Sequence, residues 1–527
     1  MLGNRYSQHS FAQVPSVNIS RSKFDRSFAV KDTFDFDYLV PIFVDEMLPG
    51  DTVNLNVATF ARLATQKVPI MDNMYIDFFF FFVPNRLVWD HWEEFNGAQT
   101  DPGDSTNYIL PGMLFPAGGP EVGSIFDKFG LPTDIAGGYA IRNSLPFRAY
   151  NLIWNEWFRD QNMQDSVPVY KGDASDSPSD FTLLKRGKRH DYFTSCLPWP
   201  QKGDAVSLPL GTWAPVVSDF TAIQLRGQTE NTNRQFRVAN ATTPTIGGTT
   251  YLASYSAASN QDVIFGSNTG LEADLSGATA ATINQLREAF SLQSLFELDA
   301  RGGTRYVEIL RAHFNVVSPD FRLQRPEYLG GGEARINVHP VAQTSPTSGS
   351  NPQGQLASFA TASTSGSHIG FTKSFVEHGY VIGLACARAD ITYQQGVNRM
   401  FLRSTRYDFF WPKLQELGEQ AVYTKEIYAG SDAIFGYQER YAEYRYKPSE
   451  IHGEFRSTYA TSLDMWHLAE EFGTAPTLNA TIIEQNTPIE RAIAVTTEPH
   501  LLFDAWFSYK HARPMLAYST PSSLGRF

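Results

Sequence analysis

Three clusters of side chains in this sequence have the types and spacing to do chemistry, and all three point to phosphate or bases. In the first 31 residues Arg5, Arg21, Lys23, Arg26 and Lys31 face one acid, Asp25, for a net charge of +4. Cations at that density neutralise nucleic-acid phosphate. The plainer reading is a tail that packs on a neighbouring subunit. Lys185, Arg186, Lys188 and Arg189 in LLKRGKRHDYF form a second phosphate candidate, against a solvated turn around Gly187 as the commoner explanation. In ERYAEYRYKP a strand would put Tyr444 and Tyr446 on one face and Arg445 and Lys447 on the other. Rings interleaved with cations stack single-stranded bases, although a strand with a tyrosine core face is more usual.

Catalytic patterns are missing. Gly187-Lys188 is followed by Arg189 and lacks the upstream glycine of a phosphate-binding loop. Gly330–Gly332 in YLGGGEAR do not make a dinucleotide fingerprint and read as a turn. Ser20-x-x-Lys23 matches a three-letter hydrolase motif by chance, within the basic arm. The 11 histidines are scattered, with His368 and His378 ten apart, and no metal or other cofactor is expected. Cys196 and Cys386 are the two cysteines, too few for a disulfide scaffold or a cysteine zinc site. Carboxylates are plentiful, so a β-rich glycan-binding or glycan-hydrolysing protein stands as the alternative function.

The elements that must position these groups are mainly β. DTVNLNVATF alternates Val53, Leu55 and Val57 inward with polar partners outward. MYIDFFFFFVP is an aromatic run closed by Pro84, suited to a strand buried on both faces. Helical spacing is confined to three places: Val88, Trp92 and Phe95, ending at Gly97; Tyr150, Trp154, Trp157 and Phe158, after Pro146; and Ile283, Leu286 and Phe290, ending at Gly302-Gly303. These helices interrupt a β pattern and do not alternate with strands as βαβ units would. Pro and Gly between 102 and 146 predict long loops with short elements. Residues 238–281 are rich in Ala, Ser, Thr and Gly and read as a surface insertion, and 343–368 reads as an exposed loop.

The chain has 527 residues and a formal net charge of −12. Aromatics make up 14% and charged residues 19%, the latter below the roughly 25% of ordinary soluble domains. A disordered chain is excluded, and extensive buried or interfacial surface is implied. The acidic balance argues against a globally basic nucleic-acid coat. No apolar stretch is long enough to span a bilayer, the longest run being Phe78–Val83, so no membrane insertion is expected. The N-terminus lacks the apolar region of a signal peptide, which predicts a soluble product of a reducing compartment.

Five long blocks then carry a family resemblance. Residues 24–92, from FDRSFAVKDTFDFDYLVPIFVDEMLPGDTVNLNV through MYIDFFFFFVPNRLVWDHW, resemble the N-terminal part of the major capsid proteins of gokushoviruses, small single-stranded-DNA bacteriophages of the microvirus group. RGKRHDYFTSCLPWPQKG (186–203), LDARGGTRYVEILRAHFNVVSPDFRLQRPEYLGGG (298–332), QGQLASFATA with HIGFTKSFVEHGYVIGLACARADITYQQG (353–396) and FGYQERYAEYRYKPSEIHGEFRS (435–457) are similar to the same family, as is Ala512–Met515. The insertion and the ending STPSSLGRF carry no matching residues.

The resemblance implies an eight-stranded antiparallel jelly roll of the viral capsid type, with long inter-strand insertions and a few short helices. It implies no enzyme but a structural protein of the virion, assembled in the bacterial cytoplasm as a 60-copy T=1 icosahedral shell around circular single-stranded DNA. Its implied partners are its own copies, the genome, an internal scaffolding protein, a minor capsid or DNA-pilot protein and a host surface receptor. The expected organisation is a basic arm at 1–35, jelly roll at 36–215 and 282–510, an insertion at 216–281 forming a threefold protrusion that meets the receptor, and a tail at 511–527. DNA contacts are expected at Arg5, Arg21, Lys23, Arg26, Lys31, Lys185, Arg186, Lys188 and Arg189.

Overall fold

The computed structural model describes residues 20–206, 283–316, 324–349, 353–364 and 369–518, with the backbone alone of five short strands between 216 and 273. The chain divides into two compact units, 201–301 and the remainder.

The larger unit begins with five strands: β1 (Ser22–Asp25), β2 (Phe28–Phe34), β3 (Val40–Met47), β4 (Thr52–Leu63) and β5 (Met74–Pro84). The excursion that follows carries α1 (Trp92–Phe95), the strand pair β6 (Met113–Phe115) and β7 (Tyr139–Ile141), α2 (Ile125–Lys128) and α3 (Leu145–Ile153). The smaller unit holds β8 (Val216–Ser218), β9 (Gln224–Gly227), β10 (Arg234–Gln235), β11 (Val263–Phe265), β12 (Leu271–Ala273) and α4 (Ile283–Arg301); β8 pairs with β12, and β9 with β10 and β11. The larger unit resumes with α5 (Tyr306–Phe314), β13 (Glu327–Ala342), β14 (Leu356–Thr364), β15 (Gly370–Ser374), β16 (Gly379–Ala389), β17 (Glu419–Tyr423), β18 (Ile434–Glu439), α6 (Ala480–Ile483) and β19 (Leu501–Arg513).

Eight strands form one antiparallel path in the order β1-β19-β4-β14-β13-β5-β16-β3, with β2 added on β19 and β15 on β4. β13 serves both halves: Glu327–Ile336 pairs with β5 and Asn337–Ala342 with β14. The sheet curls at β13, and its two halves share one core. This is the expected jelly roll.

Periodicity explains the halves. On β4, Val53, Leu55 and Val57 are buried as predicted, while Asn54 and Phe60 point out. On β5, Phe78, Phe80 and Phe82 enter the shared core, and Phe81 and Val83 enter a second core on the opposite face. That second core is built by the excursion: Leu145, Ala149, Tyr150 and Ile153 of α3 cover the outer face of β5 and β16. Tyr150 Oη donates to Leu39 O at 2.8 Å and accepts from Leu184 N at 3.0 Å, so the ring is fixed at both ends. Inside the excursion Arg148 makes a buried ion pair with Asp176 at 2.7 Å and donates to Val88 O at 3.1 Å. The outer face of the other half, over β19, β4 and β14, has no such cover among the described residues.

Several expectations need correction. Residues 22–34, read as part of an arm, are β1 and β2, hydrogen-bonded along β19. Edge strands with polar outer faces have weak periodicity, so composition hid them. Gly330–Gly332 lie in β13 at a bulge and not in a turn. A Cβ on Gly331 would sit 2.0 Å from Phe78 O, so the close approach of β13 to β5 requires glycine there. Leu356–Thr364, inside the polar tract 343–368 read as an exposed loop, is β14, whose Ala360 and Ala362 are buried. ERYAEYRYKP is not a strand: Tyr441 takes a left-handed conformation and Ala442–Tyr444 is a 3-10 turn.

At the end of β19 a polar cluster is sealed inside. Asp51 accepts from Leu48 N at 2.8 Å, Arg513 Nε at 3.1 Å and His511 Nε2 at 2.9 Å. The other His511 nitrogen faces Tyr509 Oη at 2.9 Å and Arg26 at 3.2 Å, with Asp45 beyond them. Burial, then the Arg513 guanidinium, hold His511 below the usual imidazole range. A depressed folded value means its contribution is present above about pH 6.5, the ordinary value, and is lost as pH falls through the folded one. The urea midpoint of the unassembled chain is expected to fall between pH 7.5 and 5.5, and His511→Gln to make that profile shallower. Equal profiles for the two proteins would contradict this.

Candidate assembly surface and nucleic-acid interface

Between β16 and β17 the chain runs through three 3-10 turns, Arg399–Phe401, Arg406–Asp408 and Pro412–Leu414. Their backbone is pinned by polar contacts. Asn398 Oδ1 accepts from Met400 N at 3.0 Å. Asp408 Oδ2 accepts from Thr405 N at 2.7 Å and Ser404 N at 2.9 Å, and those bonds hold its carboxyl below the usual range. Trp411 Nε1 donates to Arg406 O at 2.8 Å, and Tyr441 Oη to Tyr407 O at 3.1 Å. Arg399 anchors the segment on buried Glu426 at 2.8 Å.

The polar atoms are thus used inward and the rings stand outward. Phe401 is 72% exposed, Phe409 52% and Trp411 50%. Arg403 lies over the Tyr444 ring at 4.3 Å and the Phe409 ring at 5.4 Å, and Arg406 over Tyr407 at 4.7 Å. Phe409, Tyr444 and Tyr407 under Arg403 and Arg406, with Trp411 bonded to Arg406 O, are a set of rings and arginines with the composition of the energetic centre of a protein–protein interface. Reading from sequence missed it. The available signal was RYDFFWP, an aromatic run between arginines and a proline, which cannot be told from a core strand by composition.

The basic candidates fall into three sets. Arg21, Lys23 and Lys31 are exposed on or beside β1 and β2, where Arg21 donates to Gly50 O and to Thr52 Oγ1 at 2.7 Å, and Lys31 pairs with Asp504 at 3.2 Å. Arg26 is drawn into the Asp45 and His511 cluster. The cluster at 185–189 is not a solvated turn. Arg186 N donates to Asp37 O and Lys188 N to Ile483 O, which lays the segment against the fold. Arg186 then pairs with Asp77, buried Lys188 with Glu470 at 2.7 Å, and Lys185 donates to Asn486 Oδ1 at 2.6 Å. Arg189 is the exposed member, 3.5 Å from Glu333. Arg5 and most of 216–281 lie outside the described residues. Tyr446 stacks on Tyr192 at 5.7 Å, in a third small core with Phe193, Val422 and Phe435, while Arg445 pairs with Glu439. Among the described residues no group of three His, Cys, Asp or Glu is placed to hold a metal ion.

A family model described as "Capsid protein (F protein)" matches residues 12–523. The chain is 58% identical over 542 residues to capsid protein VP1 of Bdellovibrio phage phiMH2K, covering 100% of both chains. It is 44% identical over 584 residues to VP1 of Chlamydia phage 1 (98% of this chain, 97% of the relative) and 35% identical over 542 residues to VP1 of Spiroplasma virus 4 (97% of each). The chain therefore belongs to the phage capsid F-protein family, in its gokushovirus branch, and is a structural component of the virion.

Proposed function

We propose that sixty copies of this chain close into a T=1 shell around circular single-stranded DNA, with the ring patch at 400–411 buried between neighbouring copies. The observation that carries this reading is the patch itself: rings exposed on one subunit, on a backbone pinned by inward polar bonds before any partner arrives. Preorganised rings lose little conformational entropy on association, and the arginines over them bring few extra degrees of freedom. An internal scaffolding protein and a minor capsid or DNA-pilot protein complete the expected assembly partners.

Among the described basic residues singled out from the sequence, the exposed Arg21, Lys23 and Lys31 are the ones assigned to neutralise phosphate, with Arg189 as a further exposed candidate. Arg186 and Lys188 spend their charge on Asp77 and Glu470. Removing residues 1–31 would strip β1 and part of β2 from the sheet, so substitution is the cleaner test. Particles carrying Arg21, Lys23 and Lys31 each changed to Gln are expected to form normally and to release DNA at lower salt. Each phosphate contact contributes about 0.7 to the log–log salt slope for single strands, so the variant slope is expected to drop by about two. An unchanged slope would contradict the assignment.

The insertion at 216–281 is the proposed site of host attachment. It differs from the rest in composition, and loops of this kind carry recognition. Replacing it with a short Gly-Ser linker is expected to leave shells intact and abolish adsorption to host cells; normal adsorption would remove the assignment.

A further inference from the structure

The outer face of β2, β19, β4 and β14, uncovered among the described residues of the larger unit, combines rings and cations in a register that suits bases more than protein. On β19 the outward residues include Trp506 and Lys510, and on β4 they include Phe60 and Arg62. Trp506 pairs in register with Ala58, and Asp504 with Phe60, so the two rings are diagonal neighbours on adjacent strands, about 7–8 Å apart in a regular sheet. Both are about half exposed (52% each). Arg62 follows Phe60 on the same face of β4 and pairs with Thr361 of β14, and two residues from Thr361 on that strand stands Phe359, stacked on His339 at 5.0 Å.

Charge selects the occupant. This face and its rim carry Arg21, Lys23, Lys31, Arg62 and Lys510 against Asp25 and Asp504, a local net of +3 (five minus two) on a chain whose total is −12. A second copy docking the same face would set cations against cations. A polyanion with unpaired aromatic bases meets both features at once. The geometry points to this face as a stacking platform for single-stranded DNA, in which Trp506 and Phe60 take bases while Arg62, Lys31 and Lys510 hold the backbone. The inference deepens the genome-contact reading above and rests on it. Base–ring stacking tolerates every base, as a coat that covers a whole genome requires.

The test compares Trp506→Leu, Trp506→Tyr and Arg62→Gln/Lys510→Gln in the full chain, measuring binding of oligodeoxythymidine against salt and the yield of particles. Position 506 points to solvent, so the leucine does not touch the core, and the tyrosine restores a ring if a side-chain effect on folding intrudes. Trp506→Leu is expected to weaken oligonucleotide binding about tenfold with no change of salt slope, Trp506→Tyr to recover most of it, and the double charge variant to lower the slope. Binding by Trp506→Leu equal to the parent, with the charge variant still lowering the slope, would overturn the platform and leave the phosphate reading standing. No effect of either would overturn both. Lost particle yield with unchanged oligonucleotide binding would assign the face to a second copy of the chain and likewise overturn the platform.

Discussion

Asp77→Asn is expected to destabilise the subunit by about 3–5 kcal/mol, the largest effect of any single substitution considered. Asp77 sits on β5 with 4% of its surface exposed and accepts from Arg388 Nε at 2.8 Å and from Arg186. Burial alone would raise its pKa; the hydrogen bonds from Arg388 and Arg186 outweigh that and hold it below the usual carboxylate range. Arg388 is itself buried, with its guanidinium over the Tyr75 ring at 4.7 Å. The amide keeps the shape and removes the charge, so two arginines lose their shared counter-ion inside the fold. Asp390, 3.0 Å from Arg388, is partly exposed and compensates only in part. Urea unfolding measures the change, and Arg189→Gln, at an exposed pair of 3.5 Å, is the control expected to stay within about 0.5 kcal/mol. A loss below about 1 kcal/mol at Asp77 would mean that the arginines find water or other carboxylates, and the ion triad would not be what fastens 186 to the sheet.

Phe409→Ser with Trp411→Ser is expected to leave the subunit folded and prevent shell formation. Both rings are exposed on one chain, so their removal opens no cavity. Rings at the centre of an interface each contribute about 2 kcal/mol or more, and a closed shell repeats the loss at every contact. Two substitutions therefore weaken each contact about a thousandfold. Sedimentation of the variant should show subunits with parental unfolding midpoints and no particles. Normal particle yield would place the patch away from the contacts between copies.

How much of this was legible beforehand depends on whether neighbours in sequence are neighbours in space. β4 and β5 are legible because a period of two and an aromatic run closed by proline are local signals. The helices at 145 and 283 are legible for the same reason, through caps and glycines. β14 is not, because its buried residues are the small Ser358, Ala360 and Ala362, and alanine, serine and threonine read as loop. The fate of the basic residues is not legible either. Arg186 meets Asp77 from 109 positions away, and Arg388 meets it from 311. Lys188 reaches Glu470 across 282. A cluster that looks free in one dimension is neutralised by acids that only the fold brings near. The exposure of Phe409, Phe410 and Trp411 is equally illegible, because an aromatic run has the same composition whether it is buried or stands at the surface.

Copies of this chain are expected to tile with one another through the ring patch at 400–411. A reconstruction by electron cryomicroscopy of particles formed by the full chain, with scaffolding protein supplied, tests it directly. Closed isometric shells of sixty subunits are expected, in which Phe401, Phe409 and Trp411 are covered by a neighbouring copy. Shells whose rings at these positions face solvent, or a chain that stays monomeric with its scaffold present, would contradict it.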